Sequence, residues 1–167
     1  MPRHRDRIPV RGVAWAVVSL LVFPAAAAEP LVGQATVIDG DTIEIHAVRI
    51  RLQGIDAPET RQPCYTNGKP WRCGQQAALA LADKVAGRTV SCRPNGADRY
   101  GRPLAVCFIG REDVNAWLVS EGWALAYRAY STAYVGEEEV ARRGHRGIWR
   151  GDFEPPWEWR QRNRDTP

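Results

Sequence analysis

Three short segments of this 167-residue chain hold the side chains most able to do chemistry: D39-G-D-T42, V48-R-I-R-L-Q-G-I-D-A-P-E59 and D98-R-Y-G-R102. Asp41 and Asp56 are two carboxylates able to share a divalent metal, Glu59 is a candidate base, and Arg51 and Arg102 are two guanidinium groups. That inventory suits hydrolysis of a phosphodiester. Such a bond is already anionic, so a hydrolase must neutralise the charge that grows on its non-bridging oxygens while it activates water in line with the leaving oxygen.

Strands and turns must aim these groups. In residues 48–53 the apolar Val48, Ile50 and Leu52 alternate with Arg49, Arg51 and Gln53, so a strand buries one face and holds the arginines on the other. Pro58 then lacks an N–H and biases Ala57 towards an extended backbone, which fixes where Asp56 and Glu59 project. Residues 31–38 and 42–46 read as two further strands, joined by a turn at Asp39-Gly40, with a bend near Ala47 leading into the third. Residues 61–74 contain Pro63, Asn67-Gly68 and Pro70 and read as a loop. Residues 75–86 carry Ala78, Leu81, Ala82 and Val85 at helical spacing and stop at Gly87. Strands near residues 89–93 and 104–109 bring the count to five, and a further short strand is expected over residues 123–127. Helices are expected at residues 114–121, capped by Asp113 and stopped by Gly122, and at residues 135–143. This pattern predicts an α+β, mainly β fold: a five-stranded barrel of the OB type with about three helices. Residues 151–160, with two prolines and three aromatics, predict an irregular strap in which Trp157 and Trp159 pack on the domain, and residues 161–167 a frayed polar end.

Any one of the three segments is uninformative alone, but their order and spacing together resemble the staphylococcal nuclease (thermonuclease) family, with its DGDT, R-x4-D-x-P-E and D-[KR]-Y-G-R pattern. The resemblance spans roughly residues 34–149. It implies the same barrel and an endonuclease, a phosphodiester hydrolase that acts on DNA and RNA and leaves 3′-phosphate ends. It also implies that Asp41, Asp56 and the backbone carbonyl of Ala57 hold the metal, although the family usually has threonine at the last position. By the same resemblance Arg51 and Arg102 fork onto the scissile phosphate, and Glu59 takes the proton of the attacking water. Asp39 and Thr42 would orient the turn or a metal-held water, and Tyr127 and Tyr130 would contact the nucleotide. An all-oxygen set with two acidic ligands suits a hard ion that keeps several waters, and calcium tolerates such loose geometry better than magnesium.

Residues 1–28 read as a cleavable signal peptide: Arg3, Arg5, Arg7 and Arg11 precede an apolar run over residues 13–23 and an Ala26-Ala27-Ala28 cleavage site. The expected organisation is therefore a leader at 1–28, the nuclease-like domain at 29–150, and a strap and tail at 151–167, in a periplasmic or secreted monomer with no membrane attachment once the leader is cut. Removing the leader leaves 19 basic and 18 acidic residues, so the whole-chain isoelectric point near 9.1 is no sign of nucleic-acid binding. Cys64, Cys73, Cys92 and Cys107 all lie in the exported part, and pairing close in sequence predicts Cys64–Cys73 and Cys92–Cys107 disulfides. A thiol oxidoreductase would want a C-x-x-C at a helix start, which is absent. A nucleic-acid-binding module of the same fold without chemistry is the alternative, and it has no physical need for all of Asp41, Arg51, Asp56, Glu59 and Arg102.

Overall fold

The computed structural model describes residues 29–164; the expected leader and the last three residues of the expected tail lie outside them. The first expected strand is two, β1 (Leu31–Gln34) and β2 (Thr36–Asp39), broken at Ala35 because its halves pair with different partners. β2 pairs with β3 (Thr42–Ile45), and β3 with β4 (Val48–Leu52) across a two-residue turn in which His46 and Ala47 both have left-handed backbone. After β5 (Ile55–Asp56), residues expected as a loop form a hairpin, β6 (Pro63–Thr66) and β7 (Lys69–Arg72). Asn67-Gly68, a strong two-residue hairpin signal, makes its turn. The two prolines had argued against strands, yet this two-stranded ribbon stands apart from the main sheet and meets a single bridge, Tyr65 to Asp152, among the described residues, and proline is tolerated on such edge strands.

Helix α1 (Cys73–Val85) begins two residues before the expected start and buries Ala77, Leu81 and Val85. β8 (Thr89–Ala97) and β9 (Pro103–Ile109) form the long hairpin, and β10 (Glu112–Asp113) pairs with the end of β9. Asp113 caps α2 (Val114–Ser120) by accepting the Ala116 N–H at 3.0 Å. The short β11 (Leu125–Ala126) pairs with β5, and α3 (Val135–Arg143) follows with the expected bounds. A single 3-10 turn at Gly147–Arg150 leads to α4 (Pro156–Arg164), a helix where an irregular strap was expected. Pro156 stands at the first helical position, where a missing N–H costs nothing, with Glu158 in the first turn and Arg162 and Arg164 in the last to suit the helix dipole.

The sheet runs β1-β8-β9-β4-β3-β2, curled as a half-barrel over Ile43, Ile45, Ile50 and Leu52, which pack against Leu81 and Val85 of α1 and Leu118 and Val119 of α2. β4 is antiparallel to β3 and parallel to β9, with Arg51 level with Thr42 on one side and Leu104 on the other. This register carries the site. Asn115 braces the crossing: it accepts from the Cys107 N–H and donates to the carbonyls of Gln53 and Ala105. Disulfide Cys92–Cys107 joins directly opposed residues of β8 and β9, and Cys64–Cys73 ties the β6–β7 hairpin to the start of α1. A second, smaller core of Cys64, Cys73, Leu125 and Ile148 takes Trp71, Trp149, Phe153 and Trp157 against it. Among the described residues no helix is long and apolar enough to cross a membrane.

Candidate active site

The link between β2 and β3 presents Asp41. The Asp41 N–H donates to Asp39 Oδ1 at 3.1 Å, and the Leu52 N–H donates to the Asp41 carbonyl at 2.8 Å, so the link is fastened to β4. The expected turn at Asp39-Gly40 is present, and Gly40 makes it without a left-handed backbone. It is glycine because a Cβ there would stand 2.7 Å from the Cβ of Ala57 and 3.1 Å from that of Ala77. The loop after β5 and helix α1 thus press directly on the segment that holds Asp41.

Strand parity delivers Arg51 to the same place. Its Nη1 donates to Asp41 Oδ1 and its Nη2 to Asp56 Oδ1 at 2.6 Å, so one guanidinium forks across two carboxylates that are 10 and 5 residues away in sequence. Asp41 Oδ2 also accepts the Ala57 N–H at 2.8 Å, and Thr42 Oγ1 lies 3.4 Å from Asp41 Oδ1. Asp41 is 2% exposed and Asp56 is fully buried. Burial pushes the Asp41 carboxyl well above the usual carboxylate range; Arg51 opposes this, and the negative charges of Asp39 and Asp56 add to it.

Glu59 is held by its backbone. Its N–H donates to Oε1 of the buried Gln62 at 3.1 Å and its carbonyl accepts the Gln62 N–H at 2.8 Å, while Gln62 Nε2 reaches across to the Glu154 carbonyl at 2.6 Å. Gly74, the second residue of α1, lies so close that a Cβ would stand 2.0 Å from the Glu59 carbonyl oxygen. Arg102 leaves the β8–β9 turn two residues before Leu104, the partner of Arg51. Asp98 braces it, accepting the Tyr100 and Arg102 N–H groups on Oδ1, each at 2.9 Å, and Arg102 Nε on Oδ2 at 2.7 Å. No hydrogen bond joins Arg102 to Asp41, Asp56 or Glu59 among the described residues.

Tyr127 follows β11 and so lies beside β5; its ring meets Tyr130 edge-on at 4.9 Å. Two further contributors lie on α4: Arg160, which went unseen in the sequence, and Trp157, which was expected only to pack on the domain. Arg160 forks onto Asp56, Nη1 to Oδ1 at 3.0 Å and Nη2 to Oδ2 at 2.7 Å, and its Nη1 also reaches Glu59 Oε1 at 2.8 Å. Trp157 stacks on Tyr127 with ring centres 5.5 Å apart and planes 7° off parallel. The one signal was an arginine at the end of a tryptophan-rich run, and a run so rich in proline did not suggest a helix face.

The donors fit a hard cation. Asp41 and Asp56 stand within one guanidinium's span, with Asp39 and Glu59 beside them, and the strained negative charge on Asp41 is what a cation relieves. Among the described residues no three acidic, histidine or cysteine side chains converge as a complete ligand set, so backbone and water oxygens would have to finish the shell.

Comparison with known proteins agrees with this geometry. The family model for staphylococcal nuclease homologues matches residues 49–151. A micrococcal nuclease of Shigella flexneri is 34% identical over 94% of this chain and 95% of its own length. An uncharacterized endonuclease of Escherichia coli O157:H7 is 39% identical over 75% of this chain and 82% of its own. The succinoglycan biosynthesis protein ExoI of Rhizobium meliloti (strain 1021) is 42% identical over 81% of this chain and 73% of its own.

Proposed function

From the premise that the chain belongs to the staphylococcal nuclease family, and is by that membership a phosphodiester hydrolase, we propose that it is an exported, calcium-dependent nuclease that cleaves both DNA and RNA and leaves 3′-phosphate ends. The observation that carries this reading is the pair of buried carboxylates, Asp41 and Asp56, spanned by Arg51 with Glu59 three residues on. Calcium, when bound by Asp41, Asp56 and the Ala57 carbonyl, supplies positive charge against the phosphate oxygens.

The chain's own groups do the rest. Arg51 spends two of its five N–H donors on Asp41 and Asp56, which leaves three for a non-bridging oxygen. Arg102 is held at Nε by Asp98, so both its Nη groups remain as a fork for the same phosphate. Glu59 takes a proton as water attacks phosphorus opposite the 5′ oxygen; the new P–O bond forms as the P–O5′ bond breaks, and the leaving oxygen takes a proton from solvent. Asp39 and Thr42 keep Asp41 in place, and Tyr127 and Tyr130 offer ring faces to a base. Two local disulfides support an oxidising compartment.

The test is digestion of single-stranded DNA, duplex DNA and RNA in calcium, in magnesium and in excess chelator. Cleavage of all three in calcium alone is expected. Full activity in chelator would overturn the metal assignment, and binding without cleavage in every condition would favour a non-catalytic binding module.

A further inference from the structure

Helix α4 places Trp157 and Arg160 three residues apart, so both side chains share one face, and that face lies on the site. Each covers a different half of it. The Arg160 fork takes both oxygens of Asp56, one of which already accepts from Arg51, and reaches on to Glu59. Asp56 is fully buried, whereas the Arg160 side chain is 30% exposed and lies at the end of a tether. The Trp157 ring lies flat on Tyr127 as a stacked base would.

We propose that Arg160 is a tethered cation that stands in for the metal ion at Asp56 while also pairing with the base Glu59, and that ion binding displaces it and lifts α4 from the site; this rests on the metal reading given above. The fork and an ion need the same lone pairs. A metal that takes an Asp56 oxygen as ligand removes an acceptor that Arg160 uses, and its two charges repel a guanidinium held 3 Å from the same carboxylate. Apart from Arg160, α4 is held by buried Pro156, by half-buried Trp157 and Trp159, and by the solvent-exposed pair of Arg162 with Glu154 at 2.6 Å, and an ion pair in that setting contributes about 0–1 kcal/mol. Displacement frees Arg160 to meet a phosphate and leaves the Tyr127 ring open to a base. Empty protein is thereby capped, and the ion itself removes the cap.

The apparent affinity for the ion is lowered by the fraction of molecules that are uncapped, so a cap closed nine-tenths of the time weakens binding roughly tenfold. Titration calorimetry with calcium chloride alone, on the oxidised full-length mature protein and on Arg160→Ala and Arg160→Gln, measures this without substrate. Both variants should bind calcium roughly tenfold more tightly. Equal or weaker binding in the variants, with calcium binding intact in the parent, would overturn the competition and make Arg160 a support of the site. No calcium heat in any of the three would overturn the metal reading together with this one. Hydrogen exchange of the unaltered protein gives an arm free of any folding defect: calcium should speed exchange in residues 156–164 while slowing it in residues 39–59. Slowed exchange in α4 would overturn the displacement.

Discussion

Asp41 carries a charge that its surroundings resist. Its folded carboxyl is raised, first by burial and then by Asp39 and Asp56, with Arg51 only partly offsetting them. A carboxyl raised on folding above its unfolded value near 3.9 opposes folding whenever the solution is above the folded value, and that penalty fades as pH falls between the two. Asp41→Asn should therefore melt higher than the parent at neutral pH in chelator, with the gap closing towards about pH 4, and should lose the stabilisation that calcium gives the parent. A lower melting point for the variant in chelator at neutral pH would refute this. The arginines differ in kind. Loss of Arg102 should slow cleavage roughly 10² to 10³-fold at unchanged melting temperature, as for a preorganised donor, whereas loss of Arg51 should slow it as much and also lower the melting temperature in chelator, because Asp41 and Asp56 are left buried without their counter-charge. Arg102→Lys should fail nearly as badly as Arg102→Ala, because an ammonium cannot both keep the Asp98 contact and fork. Arg49, exposed and paired among the described residues only with Glu44 at 3.5 Å, is the control on the same strand face, and a rate loss at Arg49→Ala equal to that at Arg51→Ala would show the strand register to be misassigned. Strand parity could aim Arg51 from the sequence, and the resemblance singled out Asp41, Asp56 and Glu59, because all four lie within 19 consecutive residues whose motif can be read locally. Arg160 could not be found that way, since its partner Glu59 lies 101 residues away and no local period links them.

At the scale of elements, the hairpin β6–β7 and the start of α1 act as the mount of Glu59. Gly74 has no space for a methyl group, so Gly74→Ala must push the Glu59 backbone or the helix start aside. The expected cost is about 1–3 kcal/mol, as for other overpacked sites, with a fall in turnover beyond what the stability loss explains. Paired measurement of melting temperature and rate checks it; an unchanged rate would show that Glu59 is placed by something else. The sequence marks this region with Asn67-Gly68 and with cysteines nine residues apart, both hairpin signals, yet two prolines outweighed them. Helix α4 was hidden for a related reason: Pro155-Pro156 looks like a break, and only its position at a helix start turns a breaker into an opener. The β3–β4 hairpin, α1, α2 and α3 were all readable, since an apolar period reports a face buried against a core whether or not its partner is known.

Across the whole molecule, the half-barrel followed from strand count and order, but the pairing of β4 with β9 in parallel did not, because parallel neighbours leave no turn between them to be seen. The two disulfides close loops of 9 and 15 residues. On the chain-entropy estimate they contribute together about 5–6 kcal/mol, a large part of the roughly 5–15 kcal/mol that holds a domain of this kind. Reduction should therefore lower the denaturant midpoint sharply, with a steeper slope as the unfolded chain expands, and replacing Cys64 and Cys73 together by serine should produce nearly half of the stability loss; a midpoint insensitive to reductant would show the bridges to be incidental. The distance along the chain between Glu59 and Arg160 also sets an order of events during synthesis. At about 5–20 residues per second, roughly 5–20 s pass between the emergence of one and the other. Through that interval the nascent polypeptide shows its acidic cleft to any cation at hand, and the residue that closes it follows 101 positions later.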